Sequence, residues 1–373
     1  MAKRIMVAFG TRPECIKLAP LVAELRARPR DFETVVCSSG QHREMLDQAL
    51  AAFDLGVDRE LAVMQPDQSL ADLTAATVTG FSSAIVDMRP DWVLVQGDTT
   101  TAFAAALAAY YQRVPIGHVE AGLRSNDRFN PFPEEINRRY ISAIADLHFA
   151  PTAAAADNLR REGVPADKIH ITGNTIVDAL MALRSRLAAP DGMTRISRTV
   201  RELATASPVV LVTCHRRENF GDHLAAVVRA IRRIAMAHPS HRIVFPLHLN
   251  PNVRAAAMPV LRDVPNVHLL EPVAYYDSIY LLSRARLVLT DSGGLQEEAP
   301  SFGVPVLVLR LKTERPEAIA AGVAELVGVD EDRIVARAGD LLARPMRVPS
   351  PAANPFGDGH AAHRIADMLA GAR

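Results

Sequence analysis

The sequence predicts an α/β protein built from two doubly wound domains, each a buried parallel sheet wrapped by crossover helices. Three observations predict it. Short β-branched runs alternate with longer amphipathic stretches. The alternation pauses once, around Ala188-Ala189-Pro190-Asp191-Gly192, and resumes at Pro208-Val209. The length, 373 residues, is two to three times that of a common domain.

The elements follow in chain order. Ile5 to Phe9 is a short apolar run fit for a fully buried strand, and Glu14 to Arg28 then turns to helical spacing. The same exchange recurs with the strand Thr34 to Ser38 and the helix Gln41 to Phe53. A helix over Ser69 to Met88 precedes the strand Trp92 to Gln96, and a helix over Thr100 to Gln112 precedes the strand Pro115 to Val119. After the pause come the strand Val209 to Thr213, the helix Phe220 to His238, and strands at Arg242 to Pro246, Val267 to Leu270, Leu287 to Thr290 and Val304 to Leu309. Each intervening segment is long enough for a crossover helix, which parallel strands require. The turn cluster Asn354-Pro355-Phe356-Gly357-Asp358-Gly359 introduces a last helix, His360 to Ala370, of the kind that docks back across a domain seam. The expected division is 1–175, 176–355 and a terminal helix, 356–373, returning to the first domain.

Composition excludes several classes of function. Lys and Arg number 42, Asp and Glu also 42, so the formal charge is zero and dedicated binding of nucleic acid or an anionic membrane is disfavoured. Hydrophobic residues make up 49%, too many for wholesale disorder, while charges or prolines break every apolar stretch before bilayer length. No secretory leader pattern follows Met1-Ala2-Lys3-Arg4, and three cysteines, Cys15, Cys37 and Cys214, have neither disulfide parity nor metal spacing. Reduced thiols, a cytoplasmic location and no metal are the expectation.

In doubly wound sheets, ligands bind at the carboxyl ends of strands, so residues just after strands are the candidates. Gly10-Thr11-Arg12-Pro13-Glu14 with Lys17 one turn later suits a phosphate or anionic sugar group, though a βα turn carrying a surface arginine explains the segment equally well. Lys17 stands out because only four basic residues are lysines. Asp98 follows one strand and Glu120 the next, while Glu134 and Glu135 open a helix. Singly, Asp98 reads as a helix cap and the glutamates as complements to a helix dipole; together, three carboxylate clusters on one edge point to divided acid and base roles. In the second half, Cys214-His215-Arg216-Arg217 reads as an anion clamp or as a solvated loop with a structural histidine. Asp291-Ser292-Gly293-Gly294 lets backbone approach a diphosphate, Glu298 is placed for a ribose diol, and Arg315 joins the same edge. Gly357-Asp358-Gly359-His360-Ala361-Ala362 fits a dinucleotide fingerprint by letters alone, since it follows no strand.

Taken together, the motifs identify a family. Phe9 to Glu14, Gln41 to Asp47, Gly97 to Thr101, Gly117 to Arg124, His215 to Asn219, Pro246 to Pro251, Thr290 to Gly294 with Gln296 to Ser301, and Thr313 to Glu317 run in the order seen in non-hydrolysing bacterial UDP-N-acetylglucosamine 2-epimerases, which the chain resembles over almost its whole length. The resemblance implies a GT-B-like fold of two Rossmann-like domains with an interdomain active-site cleft, and a homodimer. It implies reversible C2 epimerisation of UDP-GlcNAc and UDP-ManNAc through loss of UDP to a 2-acetamidoglucal and its re-addition, with no cofactor. Asp98, Glu120, Glu134 and His215 would be catalytic. Arg12 and Lys17 would lie by phosphate or sugar, Ser292, Gly293 and Gly294 on the diphosphate, Glu298 on the ribose, Arg315 in the anion site and Val273 on uracil. Gln96, Cys214, Leu311-Lys312 and Ser278 depart from the family pattern. Alternative readings are the same chemistry on a modified UDP-HexNAc, or a GT-B glycosyltransferase or nucleotide-sugar-binding protein. Gln41, His42 and His248 match the family's allosteric site, whereas Glu44 and Asp67 put acids where a diphosphate needs donors, so activation by UDP-GlcNAc is expected to be weak or absent.

Overall fold

The computed structural model describes residues 2–40, 43–65, 67–216, 219–345 and 354–372, the side chains of 43–45 aside. The chain divides into two compact units, 1–182 with 356–373, and 183–355. The expected boundary at 175/176 falls at the start of a helix, and the division lies inside it.

The first unit is a seven-stranded parallel sheet, β3-β2-β1-β4-β5-β6-β7. Its strands are β1 (Lys3–Phe9), β2 (Phe32–Ser38), β3 (Arg59–Glu60), β4 (Trp92–Gln96), β5 (Ile116–Val119), β6 (Leu147–Ala150) and β7 (Ile169–Ile171). Between them run α1 (Arg12–Arg26), α2 (Arg43–Phe53), α3 (Leu70–Met88), α4 (Thr100–Tyr111), α5 (Glu134–Ile144) and α6 (Ala153–Arg161), followed by α7 (Thr175–Ala188). Local chemistry starts these helices: Ser69, Thr99 and Thr152 each accept a backbone N–H of the first turn, and Pro13 lies in the first turn of α1. The central strands are buried on both faces, as in the run Ile5 to Phe9, which is why they read as continuous apolar stretches.

The second unit repeats the winding in a six-stranded parallel sheet, β10-β9-β8-β11-β12-β13. It comprises α8 (Arg198–Ala206), β8 (Val209–Thr213), α9 (Asp222–Ala237), β9 (Arg242–Pro246), α10 (Pro251–Leu261), β10 (Val267–Leu270), α11 (Tyr275–Arg284), β11 (Ala285–Thr290), α12 (Gly293–Glu298), β12 (Val306–Val308), α13 (Pro316–Ala320), β13 (Ala324–Leu326) and α14 (Glu331–Leu342). The last helix, α15 (Ala361–Gly371), packs on α1 of the first unit. Both sheets are thus Rossmann-like, and each reverses strand order once: between β1 and β4, and between β8 and β11. Among the described residues, no helix is long and apolar enough to cross a membrane.

Candidate active site

In the first unit the reversal opens between the turns after β1 and β4. Gly10 is required there, because a Cβ would lie 2.0 Å from Ser39 Oγ and 2.4 Å from Thr101 Oγ1. Glu14 is buried and accepts from Gly10 N (3.1 Å), Thr11 N (2.8 Å), Thr11 Oγ1 (2.7 Å) and Thr99 Oγ1 (2.7 Å), tying the two turns together. Burial raises its carboxyl above the usual range, against the pull of those donors. Arg12 stands partly exposed at the start of α1, and Lys17, one turn on, pairs with Glu120.

Glu120 follows β5 in the left-handed region (φ 63°), an uncommon conformation for a residue with a side chain. Its carboxylate is buried. Lys17 Nζ and Asn174 Nδ2 (2.9 Å) donate to Oε1, Gln96 Nε2 donates to Oε2, and a Cβ on Gly97 would come within 3.5 Å of that oxygen. Asp98, the next residue along, receives Arg138 Nη2, and its backbone carbonyl receives Asn137 Nδ2 at 3.0 Å. The capping reading of Asp98 does not hold, because Thr99 Oγ1 takes the Ala102 N–H at 3.0 Å. Of the paired glutamates, Glu135 is fully buried and accepts from Ser125 N (2.9 Å), Asn126 N (3.2 Å), Arg138 and Arg139, so it holds the preceding loop. Glu134 lies partly exposed in the first turn of α5, the element that also brings Arg138 to Asp98. Two carboxylates on neighbouring strand ends are therefore held by different partners, a lysine with two amides for Glu120 and a guanidinium for Asp98.

In the second unit the corresponding edge is organised by Asp291, fully buried after β11. Its carboxylate accepts from His215 N (2.9 Å), Arg216 N (2.8 Å), Asn219 Nδ2 (3.1 Å) and Cys214 Sγ (3.2 Å), with His215 Nδ1 3.3 Å away. Burial lowers the His215 imidazole below its ordinary value, opposed by Asp291. The ring stacks on exposed His248, centroids 5.6 Å apart. Gly293 lies between two guanidinium groups: a Cβ there would meet Arg315 Nη2 at 3.6 Å and Arg216 Nη2 at 3.8 Å. Thr313 Oγ1 donates to Gln296 Oε1 (2.6 Å) and accepts from Arg315 N (3.1 Å), and Arg315 Nε donates to buried Glu297, so the turn carrying Arg315 is fastened to α12. Gln296 Nε2 in turn donates to Ser292 O at 3.1 Å, and Gly294 follows partly exposed. Glu298, nearly buried at the end of α12, accepts from Tyr275 Oη at 3.0 Å, which joins it to the loop bearing Val273.

The structure thus gathers Arg12, Lys17, Asp98 and Glu120 on one sheet edge, with Glu134 on the helix that supplies Arg138. It gathers His215, Ser292, Gly293, Gly294, Glu298 and Arg315 at the other. Asp67 lies exposed with φ 53°, and Gln41, His42 and the Glu44 side chain lie outside the described residues. Sequence reasoning placed Arg216 in an anion clamp but gave no role to the side chains of Asp291, Gln96 or Asn174. An acid directly after an apolar strand was a usable signal for Asp291; Asn174 carried none, since β7 before it was not read as a strand.

The chain matches a family model described as UDP-N-acetylglucosamine 2-epimerase over residues 23–370. It is 49% identical to a probable UDP-N-acetylglucosamine 2-epimerase of Ralstonia nicotianae, covering 97% of each chain, and 46% identical to the UDP-N-acetylglucosamine 2-epimerase of Escherichia coli K12, covering 98% of each. The crystal structure of UDP-GlcNAc 2-epimerase from Neisseria meningitidis bound to UDP-GlcNAc superposes with a TM-score of 0.91 at 43% identity, covering 99% of this chain and all of that one.

Proposed function

This chain belongs to the UDP-N-acetylglucosamine 2-epimerase family and is an isomerase, and we propose that it interconverts UDP-GlcNAc and UDP-ManNAc by eliminating and re-adding UDP. The observation that carries the proposal is the pair Glu120 and Asp98 on neighbouring strand ends, one against Lys17, Gln96 and Asn174 and the other against Arg138.

The chemistry asks for such a pair. The sugar C2 has no adjacent carbonyl, so its proton does not leave as an enolate would allow. Its removal is coupled to cleavage of the C1–O bond: the C2–H electrons form the C1=C2 double bond of a 2-acetamidoglucal while UDP departs with the C1–O pair. In the return step UDP oxygen bonds C1 and a proton is delivered to the opposite face of C2, inverting it. Asp98, Glu120 and Glu134 are the groups proposed to move these protons. The departing diphosphate needs positive charge and directed N–H groups, and Arg216, Arg315 and the Ser292-Gly293-Gly294 backbone supply them, with His215 held by Asp291 beside them. Arg12 would add charge by the phosphate or sugar. Glu298 and the Val273 backbone would take the ribose and uracil. We place the reaction in the cytoplasm, where the three buried free cysteines stay reduced, and propose a homodimer as the working form.

Anomeric NMR of UDP-GlcNAc with the protein tests the reading. The expected result is a steady mixture of UDP-GlcNAc and UDP-ManNAc, approached equally from either sugar. Free ManNAc, or a glycosylated acceptor with UDP-GlcNAc otherwise unchanged, would overturn it.

A further inference from the structure

Of the three groups that hold Glu120, two come from its immediate surroundings: Gln96 ends the adjacent strand β4, and Lys17 stands on α1. The third, Asn174, arrives from beyond β7, two strands away at the edge of the sheet. It is 2% exposed, and each of its polar groups is committed, the backbone carbonyl accepting from Val177 N at 3.1 Å. Its Nδ2 donates to Glu120 Oε1 (2.9 Å), its Oδ1 accepts from Ile176 N (3.1 Å), and its backbone N–H donates to Phe356 O (2.7 Å). Phe356 and Gly357 begin the segment that returns the C-terminus to the first unit. There the approach is backbone to backbone, since a Cβ on Gly357 (φ 142°) would lie 3.3 Å from both Asn174 N and Gly173 Cα.

The returning segment is itself anchored at several points. Asp178 accepts from Ala361 N (3.3 Å) and Ala362 N (2.8 Å) at the start of α15, and Arg364 Nη1 donates to Thr172 O (2.9 Å), two residues before Asn174. At the far end Lys3 Nζ donates to the carbonyls of Leu369 (2.8 Å) and Ala370 (2.9 Å), Arg28 just past α1 reaches Asp367 at 2.5 Å, and Glu24 on α1 lies 3.0 Å from His363 Nδ1. The segment therefore grips both the loop that carries Asn174 and the helix that carries Lys17. Glu120 needs this, because its left-handed backbone sets the starting direction of a flexible side chain whose end is located only by its partners.

We propose that Asn174 is a positioning residue for Glu120 and that residues 356–371, by fixing Asn174, set the direction of that carboxylate. The inference rests on the reading in which Glu120 faces the reacting sugar. An amide suits the position because it donates to Glu120 and accepts from Ile176 N–H at once, which no carboxylate does.

Two variants far apart in sequence test it. Asn174→Ser keeps a short oxygen for the Ile176 N–H and adds no charge, but falls short of Glu120. Gly357→Ala leaves Asn174 in place and pushes on its backbone. Both are expected to lower kcat for epimerisation of UDP-GlcNAc ten-fold or more while KM and UDP affinity stay within two-fold. In a Glu120→Gln background Asn174→Ser is expected to change the residual rate by less than two-fold. The 13C carboxyl resonance of Glu120, assigned by its loss in Glu120→Gln, is expected to move in both variants, and this readout needs no turnover. Unchanged kcat in Asn174→Ser with an active wild type overturns the proposal. So does an equal loss in the Glu120→Gln background, or an unmoved resonance. A wild type inert on UDP-GlcNAc overturns the epimerase reading instead and leaves the resonance to decide this one.

Discussion

Glu120 and Glu135 show how two glutamates on one sheet edge come to different uses. Glu135 spends its oxygens on Ser125 N, Asn126 N and two arginines, whereas Glu120 is held by a lysine and two amides at a strand end. The expected cost of Glu120→Gln, Asp98→Asn or Glu134→Gln is roughly 10²-fold or more in kcat with UDP affinity nearly unchanged, the scale of lost acid–base catalysis. Steady-state kinetics with UDP binding by calorimetry checks it, and wild-type rates in all three would remove these carboxylates from the chemistry. From the family resemblance of the sequence we propose that Glu44 and Asp67 stand where an activating diphosphate would need donors. Turnover of pure UDP-ManNAc is accordingly expected to start without a lag; a reaction that waits for added UDP-GlcNAc would show the acids to be tolerated. What the sequence made legible here were charged residues directly after apolar strands. Their partners were not legible: the choice between Asp98 and Thr99 as helix cap depends on backbone direction, and Asn174 meets Glu120 only through the fold.

Among the elements, long apolar strands were readable from the chain because burial on both faces leaves no alternation to confuse them. The strands at Trp92–Gln96, Val209–Thr213, Arg242–Pro246 and Val267–Leu270 lie where expected. Those that escaped, β3, β6, β7 and β13, have two to four residues each and carry charge or histidine, as in Arg59-Glu60, Leu147-His148 and Ile169-His170. Such short strands are held by their neighbours and not by a pattern of their own. The terminal helix was legible as a helix, but its capping by Asp178, 183 residues earlier in the chain, was not. Burial raises the Asp178 carboxyl from 3.8 to about 6, despite the backbone N–H groups that donate to it. The folded protein thus holds that proton more tightly than the unfolded chain, and stability falls as pH rises from about 4 to about 6, by on the order of 3 kcal/mol at most. Removing the ionisation with Asp178→Asn should therefore make the difference in Tm, wild type minus variant, fall as pH climbs from 4 to 7. A difference that stays level across that range would show that Asp178 is not linked to folding.

Across the whole molecule, one winding is used twice, and in each unit the residues proposed for the chemistry lie where its strand order reverses. The first supplies carboxylates in contrasting environments; the second supplies arginines and glycines arranged for an anion, with a buried aspartate fixing their turn. We propose that the carboxylates of the first unit break and remake the C2–H bond of a UDP-sugar. Proton NMR and mass spectrometry of UDP-GlcNAc incubated with the protein in heavy water measure that bond directly. One deuterium is expected at C2 of both UDP-GlcNAc and UDP-ManNAc, growing with turnover and lost together in Glu120→Gln. UDP-ManNAc that forms with its C2 hydrogen retained, or UDP-GlcNAc that neither exchanges nor converts, would contradict the proposal.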